Sequence, residues 1–237
     1  MVFLVAVITA ISRRRSNKFK LVFDIHLLLV SFSVFLSINM LIFFGLGNND
    51  TKYLQTKHNL GRLVVQNIAS KLGGKFELSA KTSFYKHTFE IENRTQTAYF
   101  VYSNGFMNTS GEALASFLKY YKIDTKNPDL RLIIAHDDSD QIESTYKFLP
   151  GGGSAGHNGI IDIYKHLPSL NMDITKVWRL KIGIRPPENK LKSETFVLTK
   201  ASLNDVALTE NLGNKIYNKL DLLLTNQFDK FQSHLYL

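Results

Sequence analysis

The sequence predicts an α/β fold, a single domain with a mixed, largely parallel central sheet flanked by helices. Continuously apolar runs, typical of strands buried on both faces of a parallel sheet, recur from Met40 onward. Helical candidates of about 10–15 residues alternate with these runs. Polar and glycine-rich clusters follow several of the runs, at GLGNND, YSNGFMNTSG, HDDSDQ and PGGGSAGHNG.

Each element follows from its own periodicity. Four runs are apolar throughout and predict interior strands, at residues 40–47, 97–103, 130–136 and 177–184. Two shorter runs alternate and predict half-exposed strands, at 84–91 and 145–149. Helices are expected at 58–72, 111–121, 158–167 and 203–231. The last helix carries apolar residues at intervals of four, which indicate core packing: Leu208, Leu212, Ile216, Leu220, Leu224 and Phe228.

The polar clusters predict one shared site. In open α/β sheets, ligands bind outside the carboxyl ends of the strands. Gly151, Gly153 and Gly156 also match G-x-G-x-x-G, but they come too late in the chain for a dinucleotide fold. A phosphate-binding P-loop is excluded because His157 and Asn158 stand where Lys and Ser/Thr are needed. The glycines therefore predict a flexible loop that lets the backbone approach a phosphate-rich ligand.

Composition indicates a basic globular protein with polyanionic partners. The chain has 237 residues and a formal charge of +9, with 44% hydrophobic and 21% charged residues. Residues 1–39 contribute +4, so +5 belongs to the part from Met40 onward. This excess favours nucleic acid or an anionic membrane as partner. Cysteine is absent, and no two histidines form an H-x-x-x-H pair, so neither a thiol nucleophile nor a metal site is expected.

Residues 1–39 are interpreted as a hydrophobic, basic N-terminal leader or targeting extension, outside the domain of residues 40–237. They are rich in arginine and hold one acid, which is compatible with an organellar transit segment. A start codon placed too far upstream of Met40 is the alternative. Residues 21–39 could also contact a membrane, although they are short for a span. We therefore expect a mitochondrial location, or a cytoplasmic one if the true start is Met40.

Four motifs in series resemble the bacterial-type peptidyl-tRNA hydrolase family. They are GLGN with TKHNLG, FMNTSG, HDDSD and GGGSAGHNG, in the family's order and near its spacing over residues 40–198. The resemblance implies the fold of that family and hydrolysis of the ester between a peptide and the 3′ end of tRNA. It also implies a monomer that needs no metal or cofactor.

The resemblance assigns roles to individual residues. His58 would be the general base and Asp137 the partner that orients it. Imidazole suits this role because it titrates near neutrality, and a carboxylate on its other nitrogen stabilises the imidazolium. The implied substrate-binding residues are Asn48, Tyr53, Met107, Asn108 and Asn158. Asn59 could serve either the site or the turn, and His136 is expected to be structural.

Two regions depart from the family pattern. The proline that usually follows GLGN is replaced by Asn49. The basic residue expected before the glycines falls on Leu149, which leaves Lys147, Arg179 and Lys181 as candidates to contact tRNA phosphates. A non-enzymatic RNA-binding relative, like those that act in organellar intron splicing, is the competing function. The enzyme is favoured because a binder has no need of His58 and Asp137 together with two asparagines.

Overall fold

A seven-stranded sheet forms the centre of the molecule. The structure, a computed structural model, describes residues 40–79, 81–186, 188 and 192–235, with side chains to residue 232. The strand order is β2-β3-β4-β1-β5-β7-β6. The strands are β1 Met40–Gly45, β2 Glu77–Leu78, β3 Thr82–Ile91, β4 Arg94–Ser103, β5 Leu130–Ile142, β6 Tyr146–Pro150 and β7 Val177–Arg185.

The middle of the sheet is parallel and its two sides are antiparallel. Strand β1 pairs in parallel with β4 and β5, and β5 pairs in parallel with β7. Three pairs are antiparallel: β3 with β4, β2 with β3, and β6 with β7. The mixed, largely parallel sheet predicted from the apolar runs is confirmed.

Helices cover both faces of the sheet, so the domain has two buried layers. They are α1 Leu60–Lys71, α2 Ser110–Tyr120, α3 Asn158–His166, α4 Ser193–Phe196, α5 Leu203–Tyr217, α6 Leu220–Leu224 and α7 Phe228–Leu235. Leu41 and Phe43 of β1 belong to the layer that contains α1 and the C-terminal helices. Ile42 and Phe44 belong to the layer that contains α2 and α3. This alternation along one strand is the period of two that a strand buried on both sides requires.

Two predicted elements differ from the structure. The single helix expected over 203–231 is three helices, because Lys219 leaves the helical region (φ −131°) and Asn226 adopts a left-handed conformation (φ +60°). The apolar stripe still packs into the core, since its residues from Leu212 to Phe228 are buried. Strand β5 was expected to end at His136, but it continues to Ile142.

The interpretation of residues 1–39 falls outside the described residues. Within the part of the chain that the structure describes, no helix has the length and apolar character needed to cross a bilayer. The expected membrane contact through residues 21–39 stays a prediction.

Candidate active site

His58 and Asp137 meet beside strand β5, just beyond the end of the neighbouring strand β1. The Nδ1 atom of His58 lies 2.8 Å from Oδ1 of Asp137, although the residues are 79 positions apart in sequence. Both are buried, with exposed fractions of 7% and 1%. Because an ionised carboxylate can only accept hydrogen bonds, Nδ1 of His58 must carry the imidazole proton. The basic lone pair of the imidazole is therefore on Nε2, which has no hydrogen-bond partner among the described residues.

A close approach of helix α1 to strand β5 sets this distance. His58 lies in a 3₁₀ turn, Lys57–Asn59, that leads directly into α1. A Cβ atom added at Gly61 would stand 2.1 Å from the carbonyl oxygen of Ala135 and 2.9 Å from Cα of His136. Only glycine lets the start of the helix lie this near to β5. The glycine of the TKHNLG motif is therefore what brings His58 to the carboxylate.

A second histidine shares the same carboxylate oxygen. The Nε2 atom of His157 lies 3.1 Å from Oδ1 of Asp137, and its ring centroid is 4.9 Å from that of His58. The Nδ1 atom of His157 accepts a hydrogen bond from the backbone N–H of Gly159 at 3.2 Å, so Nε2 holds the proton. The other oxygen of Asp137, Oδ2, is buried without a hydrogen-bond partner among the described residues. One oxygen thus fixes the tautomers of both rings.

The carboxylate raises the basicity of His58. Burial alone lowers the pKa of His58, but the charge of Asp137 and the hydrogen bond to it outweigh burial, so this pKa is raised above 6.5. The pKa of Asp137 is lowered: its burial opposes ionisation, and the two imidazoles more than offset that effect. Asp137 is therefore ionised wherever the protein is folded at ordinary pH.

Strand β5 presents His136 to the opposite side from Asp137. Nδ1 of His136 donates to the backbone carbonyl of Asp137 at 2.6 Å, while Nε2 accepts from Nε of Arg179 at 3.0 Å. Burial, with the nearby His157 and Arg179, holds the pKa of His136 well below its usual value. These contacts agree with the structural role expected for His136.

Arg179 is almost completely buried. Its exposed fraction is 2%, and besides its bonds to His136 it donates from Nη1 to the carbonyl of Gly153, which ties the glycine loop to β7. The phosphate contact expected for Arg179 stays a prediction, and its burial makes it a weaker candidate than an exposed lysine.

Asn48 is held rigidly by its neighbours. Its Oδ1 accepts from the backbone N–H of Met107 at 2.7 Å. The side chain of Asn59 makes two hydrogen bonds to the backbone of Asn48. Its Oδ1 accepts from Asn48 N–H at 2.7 Å, and its Nδ2 donates to Asn48 O at 2.9 Å. The open question about Asn59 is answered, since it positions the GLGN turn. The amide Nδ2 of Asn48, which has no partner in the described part of the chain, remains as a donor.

An open cleft of about 480 Å³ lies beside His58. A volume of this size is in the range of pockets that hold drug-sized ligands. Asn108 and Asn158 are on its wall, whereas Met107 is buried under it. All five predicted substrate-binding residues line it together with three apolar side chains: Asn48, Tyr53, Met107, Asn108, Asn158, Phe106, Val197 and Leu198.

The remaining basic candidates lie side by side on the sheet. Lys147 of β6 is directly opposite Lys181 of β7 in the antiparallel register. Lys147 is exposed, and Nζ of Lys181 lies 2.5 Å from Oδ2 of Asp138. Burial opposes ionisation of Asp138, but the hydrogen bonds from Lys181 and Gln141 outweigh that effect, so the pKa of Asp138 is lowered.

The site atoms could also hold a metal ion. One ligand atom from each of His58, Asp137 and His157 lies within 4.8 Å of the others. In the arrangement seen here, the two ring nitrogens that face the carboxylate are both protonated, so a metal bound through them would require both imidazoles to change tautomer. For His157 that change would also break the hydrogen bond from Gly159 N–H.

Sequence reasoning missed several residues of this site. His157 was considered only as a departure from the P-loop pattern, although it adjoins Asn158 in the same motif. Glu194, Val197 and Leu198 also line the cleft, and no motif marks them. They reach it because Val197 O accepts from the backbone N–H of His58 at 2.9 Å, a contact between distant segments.

Comparison with known proteins agrees with the fold and the motifs. The family model described as peptidyl-tRNA hydrolase matches residues 42–236. A peptidyl-tRNA hydrolase of Rickettsia bellii is 32% identical over 195 residues, covering 82% of this chain and 98% of the relative. One of Prochlorococcus marinus is 34% identical over 192 residues, covering 81% and 89%. The crystal structure of peptidyl-tRNA hydrolase from Acinetobacter baumannii superposes with a TM-score of 0.65 at 28% identity, covering 84% of this chain and 95% of that one. The chain belongs to the peptidyl-tRNA hydrolase family.

Proposed function

We propose that His58 is the general base, and Asp137 its orienting partner, in the hydrolysis of peptidyl-tRNA that is the function of this family. The observation that carries the proposal is the buried 2.8 Å bond between them beside an amide-lined cleft. Nε2 of His58 takes a proton from water, which attacks the ester carbonyl. The imidazolium then returns the proton to the leaving ribose oxygen, while Asp137 stabilises its charge.

The asparagines supply donors without adding charge. The Nδ2 groups of Asn48 and Asn108 are placed to stabilise the developing oxyanion or to hold the peptide main chain. Tyr53, Met107 and Asn158 complete the wall that the terminal nucleotide and the peptide would contact. Because amides read main-chain groups, such a cleft accepts peptides of any sequence.

Lys147 and Lys181 are proposed to contact tRNA phosphates. The residue at the family's basic position is Leu149, and Lys147 lies two residues earlier on the same face of β6. Lys181 directly opposite already pairs with Asp138, so the exposed Lys147 is the more available of the two for a phosphate. Replacing Lys147 with alanine should lower the slope of log affinity against log salt by about 1. An unchanged slope would exclude Lys147.

The non-enzymatic alternative is less well supported. An RNA-binding protein gains nothing from a buried carboxylate that fixes two imidazoles beside a cleft, and burying such a charge is unfavourable. Monomeric state and a mitochondrial location are further proposals. Light scattering in solution tests the first. N-terminal sequencing of the native protein tests the second, and a start near Met40 would show that the leader is removed or never made.

The central test is His58→Ala. Cleavage of an N-blocked aminoacyl-tRNA should fall by at least about 100-fold, in line with the loss of general-base help. Binding of tRNA should change by less than about two-fold. The matched control is His87→Ala, a histidine on β3 that does not line the cleft. If His58→Ala turned over at the rate of the wild type, the assignment would be wrong.

A further inference from the structure

The residue immediately before His58 makes a buried ion pair with the C-terminal helices. Nζ of Lys57 lies 2.5 Å from Oδ2 of Asp205, 148 positions away. The side chains are only 6% and 1% exposed. A lysine buried this completely is unusual, and it sits one peptide unit from the proposed general base.

Both members of the pair are held in place by other contacts. The ammonium group of Lys57 lies over the ring of Phe196, 5.4 Å from its centroid. The Oδ2 atom of Asp205 also accepts from the backbone N–H of Ser202 at 2.7 Å and from its hydroxyl at 2.8 Å. The first of these bonds, together with the bond from Asp205 N–H to Ser202 Oγ at 3.1 Å, forms the capping box at the start of α5. Asp205 is therefore a fixed anchor for Lys57.

The backbone around His58 depends on the same segment. Lys57 N–H donates to Thr199 O at 3.0 Å, and Ala201 N–H donates to Gln55 O at 2.8 Å. The 3₁₀ turn that carries His58 has no side-chain cap from Thr56. The ion pair therefore ties this turn to the C-terminal segment together with these backbone bonds and the contact of Lys57 with Phe196.

We propose that the Lys57–Asp205 pair positions His58, and that Lys57 and Asp205 are positioning residues for the reaction. A buried pair is weak support for stability, because desolvation offsets most of the attraction. Compared with apolar packing, such a pair fixes the position of the side chain more narrowly, because the ammonium group must lie at a short distance from one oxygen. Asp205 thus fixes where the turn stands relative to Asp137 and the cleft. The inference rests on the proposed role of His58.

The expected effect is on the chemical step. A misplacement of about 1 Å at a reacting group lowers rate by about 100-fold. In Lys57→Met, which keeps most of the length of the stem, kcat should fall by about 10-fold to 100-fold. Neither residue lines the cleft, so KM should stay within about two-fold.

The variants separate positioning from stability. Lys57→Arg retains the charge and should restore kcat to within about five-fold of the wild type. Lys57→Met combined with Asp205→Asn removes both charges and avoids an unpaired buried carboxylate, which keeps the test available if the single variant does not fold. The double variant should lose no more activity than Lys57→Met alone, because both act through one contact. The matched control is Thr209→Val, which removes a buried hydroxyl and its hydrogen bond with Asn67 from the same helix but makes no hydrogen bond to either member of the ion pair.

The outcomes are distinct. A fall in kcat for Lys57→Met and the double variant, with normal kcat for Thr209→Val at equal or lower stability, supports positioning. Normal kcat in folded Lys57→Met, or an equal fall in Thr209→Val, overturns it. Failure of His58→Ala to lose activity would instead refute the proposed function, and the two failures cannot be confused.

Discussion

Replacement of Asp137 with asparagine tests how the carboxylate acts. Both imidazole bonds go to Oδ1, at 2.8 Å and 3.1 Å, and Oδ2 has no partner among the described residues. An amide whose oxygen takes the place of Oδ1 can accept both bonds. The Asp137→Asn variant therefore keeps the tautomers and the orientation of His58 and His157, while it removes the negative charge and puts an NH₂ group in the place of Oδ2.

The magnitude follows from that single loss. Hydrogen bonds to charged groups contribute about 1.5–3 kcal/mol, roughly twice the contribution of neutral ones. In the variant, the hydrogen bond to the imidazolium formed in the reaction contributes about half as much, and part of the charge attraction is also lost. Together these losses remove about 1.4–2.8 kcal/mol of transition-state stabilisation. Since each step of about 1.4 kcal/mol is ten-fold in rate, kcat should fall by about 10-fold to 100-fold.

The pH dependence should change in a defined direction. Neutral His58 is the active base, so kcat/KM rises with pH through the pKa of His58 in the free enzyme, which the carboxylate raises above 6.5. Without the charge of Asp137, burial dominates and lowers that pKa. The acid limb of the plot of kcat/KM against pH should therefore move to lower pH. The difference in activity between the variant and the wild type should be smallest at acid pH.

The assay is steady-state cleavage of an N-blocked aminoacyl-tRNA across pH, together with denaturant unfolding. The amide NH₂ would occupy the partnerless place of Oδ2, and its burial should lower the free energy of unfolding by about 1–3 kcal/mol. Replacement of a triad carboxylate that produces the wrong imidazole tautomer lowers the rate by about 10⁴-fold. A loss of that size would show that the amide NH₂, and not its oxygen, faces the imidazoles, which would contradict the expectation that the oxygen takes the place of Oδ1. An acid limb that stays in place would contradict the claim that the charge of Asp137 raises the pKa of His58.

Two further variants test the supports of the site. Asn108→Ala should lower kcat by about 10-fold to 100-fold through loss of a donor and leave the melting temperature unchanged, because the side chain is exposed and makes no hydrogen bond to the other described residues. A fall in melting temperature would reveal a structural role instead. Gly61→Ala should impair both stability and activity, since its Cβ would be 2.1 Å from Ala135 O and must push α1 away from β5. Wild-type activity in Gly61→Ala, measured by the same cleavage assay, would refute the close-approach argument.

Local sequence patterns were enough to predict the core of the sheet. The apolar runs correspond to β1, β4, β5 and β7 because burial on both faces leaves a signal in every residue. The end of β5 was not predictable in this way. Asp137 and Asp138 read as loop residues, yet they pair with Ile182 and Gly183 of β7. Their carboxylates are tolerated inside a strand because His58 and Lys181 reach them from other elements, and no local pattern reports such partners.

The same limit applies to the site. His58, Asp137 and Asn48 stand in motifs with distinctive composition, so their convergence at one sheet edge could be expected. The Lys57–Asp205 pair joins two residues that are individually ordinary, a lysine beside a histidine and an aspartate in the first turn of a helix. The burial of Arg179 was not predictable either, because charge suggests exposure, whereas its guanidinium lies against His136. Side-chain partners across the fold decide these cases.

The unequal lengths of neighbouring strands explain why the site lies where it does. Strand β1 ends at Gly45, which pairs with Ala135, whereas β5 continues to Ile142. The end of β1 therefore leaves a step along the side of β5. The first turn of α1 fits into this step, with Gly61 against the carbonyl of Ala135. His58 then meets Asp137 just beyond Ala135, on a strand whose other side is paired to β7. The carboxylate is thus carried by a paired strand rather than by a loop, which is the more exact support for a group that must hold an imidazole in one orientation.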